Sequence, residues 1–126
     1  MNATLNSTAT VTIISIWSKW EGLEGKLRGR DQNFTYDVEV PCETSPEATL
    51  ENAFCLTNRD NRPNGNRCCS TTNGDIMVLD GQPYLVEGHG YSKLSPAQFE
   101  AVQALTSRDT SFGLAFIIKH NNVPNA

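Results

Sequence analysis

Histidine is almost missing from this chain, with two residues in 126. No apolar stretch approaches the ~20 residues needed to span a bilayer. A Gly-x-Ser-x-Gly elbow, a P-loop, a dinucleotide fingerprint, an EF-hand loop and a Cys-x-x-Cys pair are all lacking. These absences leave no motif-based case for nucleophilic hydrolysis, nucleotide binding or calcium binding, and they imply no cofactor and no metal.

Charge is scarce as well. Charged residues make up 19% of the chain, below the roughly 25% of an average soluble domain. The net charge is −4 and the pI about 5.0. A protein that neutralises phosphates needs a basic face, so nucleic acid is disfavoured as a partner. The one local basic run, Lys26, Arg28 and Arg30, reads as a solvated strand edge or loop. In place of charge stand Asn, Thr, Ser and Gly, residues of turns and strand-rich proteins rather than of long helices.

The most telling feature present is the cysteine set. Cys42, Cys55, Cys68 and Cys69 occupy one short stretch, and none lies elsewhere. An even, clustered set in a chain of this length points to two disulfides and to secretion into an oxidising, extracellular setting. Adjacent Cys68 and Cys69 cannot bridge each other without distorted geometry. Two pairings remain: Cys42–Cys68 with Cys55–Cys69, or Cys42–Cys69 with Cys55–Cys68. A zinc site is the alternative for four thiols, and the missing Cys-x-x-Cys pair and ligating His weigh against it. Sequons at Asn2, Asn6 and Asn33 fit a glycoprotein. The first residues lack the basic start and apolar centre of a signal peptide. On the secreted reading, they are expected to begin a mature form with an added Met.

The length suits a single domain, 1–126, with 1–9 and 121–126 expected as loose ends. Residues 11–17, β-branched and aromatic, predict a strand. Phe34, Tyr36, Val38 and Val40 alternate with Thr35, Asp37 and Glu39, so the first set should face a core and the second water. Ser45-Pro46-Glu47 starts a short helix running to about Cys55. Residues 57–67 form a polar loop flanked by cysteines.

Asn73-Gly74 and Asp80-Gly81 predict tight turns on either side of an apolar strand at 76–79, returning through 84–87. Ser95 and Gln98 complete a capping box for a helix over 96–105. The run from Phe112 to His120 is expected as the last strand, with Phe112, Leu114, Phe116, Ile118 and His120 on one face. The expected fold is therefore mainly β: an antiparallel sandwich or half-open barrel with two short helices. The alternative is α+β, with one sheet covered by the 96–105 helix.

These residues favour recognition over catalysis. Trp17 and Trp20 point to opposite faces of a straight strand, which would leave Trp20 to stack a sugar ring at the surface; core placement of both is the favoured reading, because a bulge could turn either inward. Tyr91, in a Gly-rich link after Gly88 and Gly90, is expected to be exposed. Asn61, Asn64 and Asn66 come from the stapled loop. Together they suggest a secreted, carbohydrate-binding or protein-binding molecule of lectin, toxin or effector type, directed at an extracellular glycan or a foreign protein.

Two other classes remain open. A small secreted hydrolase of ribonuclease kind would use Glu87, His89 and His120 as acid and base. An inhibitor or structural protein would present the 57–67 loop to a partner.

Overall fold

The computed structural model describes residues 7–16, 35–58, 71–105 and 112–126. Its elements in chain order are β1 (Thr8–Ile14), β2 (Thr35–Pro41), α1 (Pro46–Thr57), β3 (Ile76–Leu79), β4 (Gln82–Glu87), β5 (Gly90–Lys93), α2 (Pro96–Ala104) and α3 (Leu114–His120). The strands form one antiparallel sheet in the order β2-β1-β3-β4-β5. Of the two architectures expected, the α+β one is seen.

Alternation along the strands divides the core in two. On one face Val11, Ile13, Tyr36, Val38, Val40, Met77, Leu79, Tyr84 and Val86 meet Leu50 and Ala53 of α1. On the other, Ile76 and Leu85 meet Val102 of α2, Ile117 of α3 and Val123. β3 is apolar throughout because both its faces are covered. Residues 121–126, read from sequence as a loose tail, carry two anchors: buried Val123, and Pro124 O, which accepts from Gln98 Nε2 at 3.1 Å.

Local chemistry explains the element ends. Ser45 Oγ accepts from Ala48 N at 3.1 Å to start α1. Ser95 and Gln98 make the reciprocal capping box at α2. Asp80 and Gly81, with φ of 52° and 79°, form the tight turn between β3 and β4.

Register explains the edge. Cys42 N donates to Ser7 O at 3.0 Å, so the pairs Thr8–Pro41, Thr10–Glu39 and Thr12–Asp37 are those that exchange no backbone bonds. Pro41, lacking an N–H, thus points its nitrogen away from the ladder, as an edge strand allows. In two of these pairs the close side chains bond to each other, Thr12 to Asp37 at 2.6 Å and Thr10 to Glu39, and Thr8 reaches diagonally to Glu39 at 3.0 Å. This polar end of the sheet has no helix over it among the described residues.

Three expectations need correction. β1 begins at Thr8, inside the segment read as a loose arm, and ends at Ile14. β5 replaces the Gly-rich link expected around Tyr91. The expected final strand is the helix α3. A short apolar run fits both a period of two and one of 3.6, and here Leu114, Ile117 and Ile118 pack inward at helical spacing. Gly113, at φ 100°, turns the chain into that helix. Phe116 and His120 therefore do not share an inward face with Ile118.

Candidate functional site

α1 ends where the sheet begins again. Thr57 Oγ1 lies 2.7 Å from Thr71 Oγ1, and both residues are buried. Next to them Asn58 Nδ2 donates to Thr71 O at 3.1 Å and to Phe54 O at 2.8 Å. The returning chain is fixed further on. Asp75 Oδ2 accepts from Thr72 N at 3.0 Å, Gly74 N donates to Val86 O at 2.8 Å, and Val86 N donates to Asp75 O at 2.9 Å. Asn58 and Thr71, the described residues on either side of 59–70, are thus joined at one hydrogen-bonded point. The intervening residues 59–70 lie outside the described residues, as do Asn61, Asn64, Asn66, Cys68 and Cys69.

Cys55 stands one turn before this neck. Its thiol lies 3.7 Å from Glu51 Oε2, and that of Cys42 lies 3.8 Å from Glu43 O. Both cysteines are exposed and stand as free thiols in this structure.

Tyr91 is half-buried at the contact between β5 and α1, with its ring against the core. Its hydroxyl donates to Glu51 Oε1 at 2.7 Å. Burial, that hydrogen bond, and the charges of Glu51 and Cys55 push the phenol well above its ordinary range. Buried Tyr84 is raised as well, by desolvation first and then by Glu47 and Asp80. Tyr91 is therefore engaged by its own protein along both ring and hydroxyl.

The three residues of the hydrolase reading lie at the end of β4, in the turn that follows it, and at the end of α3. Glu87, at the end of β4, accepts from the Ser92 hydroxyl, and its Oε1 lies 2.9 Å from where a Cβ on Gly113 would stand. His89 is exposed in the turn between β4 and β5. His120 is exposed at the far end of α3, its ring centroid 4.2 Å from that of Phe116. Among the described residues no hydrogen bond or ring contact joins these three side chains. No group of three or more His, Cys, Asp or Glu among the described residues is arranged to hold a metal ion.

Trp17, Trp20 and the sequons Asn2, Asn6 and Asn33 lie outside the described residues. Among the described residues, no helix is long and apolar enough to cross a membrane. Sequence reasoning overlooked the surface just before α3, where Phe112 is 66% exposed beside Phe116.

No protein-family model matches the chain, and no curated protein or solved structure is significantly similar to it.

Proposed function

We propose that this is a secreted binding protein, recognising an extracellular glycan or a foreign protein in the manner of a small lectin, toxin or effector. The observation that carries the reading is the neck at Thr57, Asn58 and Thr71. The described residues flanking the twelve positions 59–70 meet beside a sheet packed on both faces. Recognition residues commonly sit on loops held by rigid scaffolds of this kind. The segment is rich in amides, with Asn61, Asn64 and Asn66 as contact candidates. Two disulfides through Cys42, Cys55, Cys68 and Cys69 would add covalent hold to the same region.

The test has two parts. Mass spectrometry of the unreduced protein should find all four thiols paired, and four free thiols would refute the secreted, stapled reading. A glycan array should then be run beside an RNA-cleavage assay, using the wild type and a variant with Asn61, Asn64 and Asn66 replaced by Ala. Binding without turnover is expected, weakened about tenfold or more in the variant, or about 1.4 kcal/mol. The variant should keep its unfolding midpoint. RNA degradation abolished by His89→Ala, or unchanged binding by the triple variant, would refute the proposal.

A further inference from the structure

One end of the sheet collects polar groups that the fold itself does not use. Ile14 pairs with both Thr35 and Ile76, and Gly74 N donates to Val86 O. The Asn73-Gly74 turn, two residues after Thr71 of the neck, and the 88–89 turn between β4 and β5 therefore share this end. α3 starts here as well, because Glu87 Oε1 lies 2.9 Å from where a Cβ on Gly113 would stand. Phe112, the residue before Gly113, is 66% exposed and belongs to neither core cluster.

Half-buried Asn73 holds its Nδ2 3.5 Å from where a Cβ on Gly88 would stand. Among the described residues its amide has no hydrogen-bond partner, and neither has the exposed imidazole of His89. Glu87 Oε2 accepts from the Ser92 hydroxyl, which fixes the carboxylate in place. Exposed Gly88, between Glu87 and His89, has no side chain to cover them. Asn73, His89, Glu87 and Phe112 thus follow one another across the end of the sheet, each a neighbour in chain or in contact.

We infer that this run is the ligand site of the binding protein proposed above, and that it takes a neutral sugar of an extracellular glycan. The assignment rests on that reading. A sugar hydroxyl both donates and accepts. The Asn73 amide answers both, the Glu87 carboxylate accepts, and the His89 imidazole offers one donor and one acceptor nitrogen. The apolar side of a sugar packs on an aromatic face. Phe116 leans on Phe112 from one side, at 44° with centroids 4.9 Å apart, and the exposure of Phe112 leaves its other side open. A single ring is far too small for a protein interface of about 800 Å² per partner, but it matches one sugar residue. Charge sets the class. A carboxylate repels sialylated and sulfated sugars at close range, and the two cations among the described residues, Lys93 and Lys119, lie at the far ends of β5 and α3.

Binding of the full chain to an array of neutral, sialylated and sulfated oligosaccharides tests this. The wild type should bind neutral members above charged ones. Phe112→Ser should lower that binding about fivefold or more, with an unchanged unfolding midpoint because the ring lies outside both core clusters. Phe112→Trp should keep it. Asn73→Ala should lower it about two- to tenfold, the worth of one neutral hydrogen bond. Neutral-glycan binding unchanged in both Phe112→Ser and Asn73→Ala overturns the inference, while the recognition role itself stands. A wild type that prefers charged members, or that binds no glycan, overturns it too. Four free thiols would overturn the secreted reading, and this inference with it.

Discussion

The hydroxyl pair at the neck can be taken apart with two substitutions of nearly equal shape. Thr57 Oγ1 lies 2.9 Å from Ala53 O and 3.1 Å from Phe54 O, besides its contact with Thr71 at 2.7 Å. Carbonyls only accept, so the single Thr57 proton goes to the helix and Thr71 is the donor between the two hydroxyls. Thr71→Val removes that donor and leaves a buried acceptor on Thr57. Thr57→Val leaves the Thr71 hydroxyl proton buried with no acceptor. Each single change should cost about 1–3 kcal/mol, the penalty for a buried polar atom left unpaired.

Replacing both removes the pair together with its desolvation cost, so the double variant should be destabilised by far less than the two singles combined. A coupling of about 1–2 kcal/mol is expected. Urea unfolding of the four proteins measures it, provided the slopes agree. Strict additivity would mean that the two hydroxyls do not meet. It would also remove the hydroxyl pair as a reason why Asn58 and Thr71 lie side by side.

Two further outcomes follow from the geometry. Tyr91 ordinarily ionises near 10.0, and its folded-state pKa is raised. The unfolded chain therefore loses this proton first, and stability that is full below about pH 10 declines as pH rises beyond it. Thermal melts of Tyr91→Phe across the alkaline range should decline less steeply; part of the decline remains because Tyr84 is raised in the same sense. An unchanged alkaline slope would show that Tyr91 is not held by Glu51. Gly113→Ala places a Cβ 2.9 Å from Glu87 Oε1 at a φ of 100°, and should cost about 1–3 kcal/mol. Adding Glu87→Ala should recover only the clash and not the backbone strain. Full recovery in denaturant unfolding would show that the left-handed conformation carries no penalty.

Much of the fold was legible residue by residue. The alternation in β2, the Ser45 and Ser95 helix starts and the Asp80-Gly81 turn each rest on chemistry within a few positions, and each stands as read. α3 was not legible. Phe112 to His120 satisfies both periods, and its choice depends on the gap left beside α2 and on the turn at Gly113, made of residues distant in sequence. The neck was equally hidden, because Thr57 and Thr71 are ordinary residues until packing buries them together. For the same reason sequence placed Tyr91 in solvent, since nothing local shows that Glu51, forty positions earlier, receives its hydroxyl.

By itself, then, the amino-acid order determined the elements whose signals are short-range: caps, tight turns and alternating strands. It also determined the acidic balance and the cysteine pattern on which the extracellular proposal stands. Tertiary structure alone decided that one sheet carries helices on both faces, that the last apolar run coils, and that Asn58 and Thr71 lie side by side. The physical reason is burial. Local propensities differ by fractions of a kcal/mol per residue, while sealing an apolar side chain away from water contributes about 1.5–3 kcal/mol, and only the assembled fold shows which side chains can be sealed.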